Sequence, residues 1–99
     1  MPFKYGPYPF RRSDIEDMKE VGAVYGLARS SARPGYFDIL YVGETDDLRR
    51  RLGEHLNNPP IAGITHFFAE SWSNASQRKS REMELISEFN PPGNTVGRR

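Results

Sequence analysis

The residues best equipped for chemistry are Tyr41, Arg51 and His55, with a carboxylate, Glu82, further along. A guanidinium offers an anion two parallel hydrogen bonds, while a phenol and an imidazole are proton-transfer groups. The elements that must position them can be read from the residues between. Ile39 to Val42 is a short apolar and aromatic run suited to a strand, and Gly43 breaks it. Thr45, Asp46 and Asp47 then offer capping oxygens and negative charge where a helix would begin. In that helix Leu48, Leu52 and Leu56 form one stripe, and Arg51 and His55 lie one turn apart along its edge. Phenol, guanidinium and imidazole therefore meet at one strand-to-helix junction.

Glu82 is a carboxylate in an unusual place. In a last helix running from Ala75 to Phe89, the arc of Ala75, Leu85, Ile86 and Phe89, with Met83 at its margin, has Glu82 in its middle, whereas Glu84 and Glu88 pair on the solvent side. Burying an ionised carboxylate without partners is costly. A cation, a metal or a raised pKa is expected there, unless the arc ends at a sheet edge and leaves Glu82 in water.

Ninety-nine residues make one domain with a single modest core and no separate specificity module. The net charge of +1 is too small to argue for nucleic acid from bulk electrostatics, although Arg49-Arg50-Arg51 and Arg78-Lys79 with Arg81 form local clusters. The chain has no cysteine, which excludes disulfides and thiolate metal sites. No segment is long and apolar enough for a membrane span, and the N-terminus has no signal-peptide core, so a cytoplasmic, membrane-free protein is expected.

Residues 1–12 mix Phe3, Tyr5, Tyr8 and Phe10 with three prolines, which predicts an extended arm across the domain or a frayed terminus. Ser13-Asp14-Ile15-Glu16 fits a capping box opening a helix of one or two turns that ends near Lys19. Strands are expected from Val21 to Leu27, from Tyr36 to Val42 and from Ile64 to Glu70, with helices after the second and third. Asn57-Asn58-Pro59-Pro60 stops the central helix, Ser73 or Asn74 caps the last, and Asn90-Pro91-Pro92-Gly93 ends it. The expected order is helix, strand, strand, helix, strand, helix.

From Gly22 to Asn94 this pattern resembles the GIY-YIG nucleases, which include excision-repair incision proteins and homing endonucleases. Ala23-Val24-Tyr25 stands for the first motif and Tyr41-Val42-Gly43 for the second; Asp47-Leu48-Arg49-Arg50-Arg51-Leu52, His55, Glu82, Leu85-Ile86, Pro91 and Asn94 follow at the family's spacing. One departure is Ala23 in place of the first glycine, with Gly22 one position earlier, and Glu44 is an oddly placed negative charge beside an anion site. The resemblance implies an α+β fold with a three-stranded antiparallel sheet flanked by helices. It divides the chain into an N-terminal arm and short helix over 1–20, a nuclease domain over 21–94 and a basic tail over 95–99.

It also implies metal-dependent hydrolysis of phosphodiesters in nucleic acid, DNA more than RNA. Glu82 would hold one Mg²⁺ or Mn²⁺, Arg51 would clamp the scissile phosphate, and Tyr25 and Tyr41 match the paired tyrosines. Tyr41 or His55 would take the proton of the attacking water; a phenol, with a pKa near about 10 in water, needs a cation beside it for that role, whereas imidazole does not. Asn94 would position metal or phosphate. Arg50 reads as a solvated face, Arg49 as that or as a backbone-phosphate contact; Lys79 is a further expected nucleic-acid contact, and His66 reads as structural. A module that binds without cleaving, or a nuclease subunit that depends on a protein partner for specificity, are the other readings; the oligomeric state is left open.

Overall fold

The computed structural model describes residues 3–95. Its elements are β1 (Tyr5–Pro9), α1 (Arg12–Glu16), β2 (Ala23–Ser30), β3 (Phe37–Thr45), α2 (Leu48–Asn57), β4 (His66–Ser71), α3 (Ala75–Phe89) and α4 (Pro92–Thr95). The sheet has four strands in the order β1-β4-β2-β3, every neighbouring pair antiparallel. β2 is thus a central strand, and β1 and β3 are the edges.

The fourth strand corrects the expectation of three. The proline-rich arm pairs with β4 through Tyr5 opposite Ala69 and Tyr8 opposite Phe67, with an irregular step between them at Gly6-Pro7. Proline cannot donate to a ladder, but an edge strand needs donors on one side only. Tyr8 packs its ring on Phe67, with centroids 5.3 Å apart, and Phe10 N–H donates to the Thr65 carbonyl at 3.0 Å. The short helix is also shifted from its predicted frame. Arg11, not Ser13, is the residue before its first turn, and Arg11 Nε bonds Asp14 at 2.9 Å.

Alternation along β2 divides the interior in two. Ala23, Tyr25 and Leu27 face α1 and α2 and join Ile15, Leu48, Leu52 and Phe67; Val24 faces α3 and joins Val42 and Leu85. Leu52 and Leu85 are fully buried, and truncating either to alanine costs about 2–5 kcal/mol. α2 begins as its residues demand: the Asp47 carboxylate accepts from Arg50 N–H at 3.1 Å, Thr45 Oγ1 accepts from Asp47 N–H at 3.1 Å, and Leu48 N–H donates to the Val21 carbonyl at 2.9 Å. That last bond ties the helix start to the entrance of β2.

α3 is capped by Asn74, which accepts from Gln77 N–H at 3.0 Å, and it ends at Asn90 in the left-handed region with φ of 45°. Leu85 is buried and Ile86 and Phe89 are half-buried as expected, but Ala75 and Met83 are exposed. In their place Arg78 occupies the inward stripe.

Candidate active site

The β2–β3 register opposes Tyr25 to Gly43 and Leu27 to Tyr41, so both tyrosines rise from the same face of the sheet, their ring centroids 6.3 Å apart. Gly43 is needed here because a Cβ at that position would strike the Tyr25 hydroxyl and ring carbons. The phenol ring lies across the backbone of the edge strand instead. His55, buried on the inner side of α2, meets it there: Tyr25 Oη and His55 Nε2 are 2.8 Å apart. The His55 ring also stands edge-on to Tyr41, with centroids 5.5 Å apart.

Electrostatics keep this pair uncharged. Burial, then the neighbouring Tyr41, push the Tyr25 phenol above its ordinary range, and the opposing effect of Arg51 is smaller. Burial, then the charge of Arg51, push His55 down to about 4. Both groups are therefore neutral near pH 7, and the donor-only Arg51 guanidinium faces the phenol oxygen. The neutral phenol and the neutral imidazole share the 2.8 Å hydrogen bond between Tyr25 Oη and His55 Nε2. Arg51 is itself held by Glu54, whose Oε1 accepts from Nη1 at 2.8 Å; this bond, followed by the one to Tyr25, makes the guanidinium harder still to deprotonate.

Glu82 lies one turn beyond Arg78 on the inward stripe of α3, with its side chain 17% exposed, and its charge reaches Tyr25 across the β3 edge. The carboxylate is neither in open water nor alone. Lys79 Nζ is 3.8 Å from Glu82 Oε1 and 3.8 Å from Glu44 Oε2. Glu44, the odd charge of the second motif, is turned to Arg78, whose Nε donates to Oε1 at 3.0 Å and whose Nη1 donates to the Trp72 and Ser73 carbonyls, each at 3.1 Å. Glu44, Asp46, Arg50, Arg51, Glu54 and Arg78 line an open polar groove of about 460 Å³ beside the tyrosines. A hard cation fits between Glu82 and Glu44, two carboxylates that already approach the same Lys79 ammonium. Among the described residues no three acidic or histidine side chains gather as a cage, so such an ion would draw much of its shell from water and substrate.

Asn94 is buried against the second motif. Its Oδ1 accepts from Val42 N–H and its Nδ2 donates to the Val42 carbonyl, each at 2.7 Å. The amide completes the hydrogen bonding of the edge strand between Tyr41 and Gly43. Close packing of the preceding turn makes this possible, because a Cβ on Gly93 would meet the Leu40 carbonyl and Tyr41. Arg49 stands apart from the tyrosines. It donates to the Met18 carbonyl at 2.9 Å and to Glu20 at 3.1 Å, lining a separate groove between α1 and α2. Of the basic run, Arg50 is the one beside Arg51 in the polar groove, paired with Asp46 at 3.0 Å. Of the basic tail, residues 96–99 lie outside the described residues.

Sequence reasoning missed Glu54 and Arg78. Glu54 precedes a helical histidine and looks like any solvent carboxylate; only its i,i+3 spacing from Arg51 signalled the pair. Arg78 shares a helical stripe with Glu82, Leu85 and Phe89, which was the available sign of its burial.

Residues 37–96 match the profile of the GIY-YIG catalytic domain. The fold is similar to the GIY-YIG N-terminal endonuclease domain of UvrC from Thermotoga maritima. With that domain's magnesium-bound form the identity is 21% and the TM-score 0.66, covering 83% of this chain and 92% of that chain. Asparagine-to-alanine and tyrosine-to-phenylalanine variants of the same domain, bound to the catalytic divalent cation, match with TM-scores of 0.66 and 0.64 at 21% and 20% identity, over 83% of this chain and 91% of theirs. At such identity the likeness is one of fold. No curated protein is significantly similar in sequence. The profile match, by contrast, spans more than half of the chain and takes in β3, α2, β4, α3 and Asn94; the protein belongs to the GIY-YIG family of nuclease domains.

Proposed function

We propose that the protein is a divalent-metal-dependent endonuclease that hydrolyses phosphodiester bonds, with DNA as the favoured substrate over RNA. The observation that carries this reading is the convergence of Tyr25, Tyr41, Arg51 and His55 on one sheet edge within electrostatic reach of Glu82. Glu54 holds one arm of the Arg51 guanidinium, which also bonds Tyr25, so the fork is positioned before substrate arrives. Its remaining N–H groups take the scissile phosphate. The Tyr25 phenol stays protonated and serves as a fixed hydrogen-bond donor. His55 Nε2 is engaged by Tyr25, which leaves the half-buried Tyr41 as the base that takes a proton from water. Glu82, with Glu44 beside it, would hold one Mg²⁺ or Mn²⁺, whose contribution is to neutralise charge growing on the phosphoryl oxygens.

One observation favours the reading in which this domain serves as a nuclease subunit. Arg50, Arg51 and Arg78 are each paired with a carboxylate of the same groove, so free positive charge for holding nucleic acid is small and a partner would supply affinity and specificity. The test is incubation of the purified chain with labelled single-stranded and duplex DNA and RNA in Mg²⁺, in Mn²⁺ and in EDTA. Cleavage is expected only with metal, and Glu82→Ala should abolish it. Cleavage that persists in EDTA or in that variant would overturn the reading.

A further inference from the structure

We propose that Lys79 is a displaceable occupant of the cation site and that Glu44 is its second carboxylate, so that these two residues set the affinity of Glu82 for a divalent ion. The inference rests on the nuclease reading and deepens it. Glu82 comes from α3 and Glu44 from β3, yet both approach one ammonium at 3.8 Å.

The two carboxylates and the ammonium differ in freedom. Glu44 is fixed, because Arg78 binds its Oε1 and is itself anchored to two backbone carbonyls, its side chain only 10% exposed. That leaves Oε2 directed at Lys79. The Lys79 side chain is 66% exposed and ends in a compact charge on a flexible stem. It can leave without disturbing the core.

A divalent ion binding Glu82 must either repel this ammonium at close range or replace it. Replacement exchanges one positive charge for two between Glu82 and Glu44, which also keeps its pair with Arg78, and Mg²⁺ commonly settles on one or two carboxylates with water completing its shell. The displaced ammonium then swings toward solvent, where a backbone phosphate of the substrate is its natural partner. Lys79 thus contacts nucleic acid only after the ion has taken its place. The competing account is an ordinary exposed ion pair, which contributes little and guards nothing.

Binding of Mn²⁺ alone to the full chain, without nucleic acid, followed by electron paramagnetic resonance, separates the two accounts. Lys79→Gln is expected to tighten Mn²⁺ binding by about tenfold, which corresponds to about 1.4 kcal/mol. Lys79→Arg, which keeps the charge, should stay within about twofold of wild type, and Glu44→Gln should weaken binding by about tenfold. Circular dichroism reports whether Glu44→Gln remains folded; if it does not, the two Lys79 variants decide alone. An unchanged affinity in Lys79→Gln, while Glu82→Gln still loses the ion, overturns this inference and leaves the metal reading standing. Undiminished binding in Glu82→Gln overturns the metal reading itself.

Discussion

His55 provides the sharpest quantitative test, because its burial has an expected signature in both stability and catalysis. Its pKa falls from an ordinary 6.5 to about 4 in the folded state, chiefly through burial and secondarily through Arg51. Between these values the unfolded chain binds a proton that the folded chain refuses, so unfolding is favoured as pH drops through that window. The stability associated with neutral His55 is complete above 6.5 and is lost as pH falls toward 4. At about 1.36 kcal/mol per pH unit, that window is worth about 3 kcal/mol, a large share of the roughly 5–15 kcal/mol of a small domain. Urea unfolding at a series of pH values measures it, and subtracting the same series for His55→Phe removes the contribution of carboxylates titrating nearby. Histidine nuclear magnetic resonance, with the His55 signals assigned by their loss in His55→Phe, gives the pKa directly. The cleavage rate should accordingly lack an imidazole limb near 6.5, and Tyr41→Phe should remove most of the activity. A His55 signal titrating at its ordinary value, or equal pH slopes in wild type and His55→Phe, would refute the argument that Tyr25 meets a neutral imidazole.

Two further outcomes follow from the same geometry. Arg51→Lys should lose most single-turnover cleavage while its urea midpoint hardly moves, because one ammonium cannot engage Glu54, Tyr25 and a phosphate together; lysine serving as well as arginine would mean the fork is dispensable. Asn94→Ala strips two buried bonds from Val42, and unfolding should show a loss of about 2 kcal/mol or more, with cleavage reduced in proportion to the disorder of the Tyr41–Gly43 edge; an unaltered midpoint would contradict its role as an edge partner.

What could be read from the sequence was mostly what local chemistry decides. The limits of α3 and the start of α2 follow from Asn74 and Asp47 with their downstream N–H groups and from an apolar period that needs no distant partner. β1 was hidden because its prolines are forbidden or harmless according to whether the strand lies inside a sheet or on its edge, and nothing local says which. The bond from Tyr25 to His55 joins residues 30 positions apart; it depends on which residue of β3 opposes Tyr25, and so on the register. Buried charge was the largest omission. Glu70 is 2% exposed, yet it accepts from Arg81 at 2.7 Å, from Trp72 at 2.8 Å and from Lys4 N–H at 3.2 Å. Burial works against its ionisation, and these bonds outweigh it and hold the carboxyl below its usual range. Strand alternation counts polarity and has no knowledge of partners such as Arg81, brought in by a helix packed on the sheet.

The clasp between Asn94 and Val42 spans 52 positions, which gives the domain an order of assembly. During synthesis the ribosome delivers both tyrosines, Arg51, His55 and Glu82 before it delivers Asn94. A nascent chain at that stage carries the groups proposed to cut but not the amide that finishes the edge on which Tyr41 stands, and a loop of that length must close before Val42 gains its partner. The edge that carries Tyr41 is therefore completed only after Asn94 has been made. A product cut short before Asn94, by a stalled ribosome or a protease, would lack this clasp and stand with its Tyr41 edge unfinished.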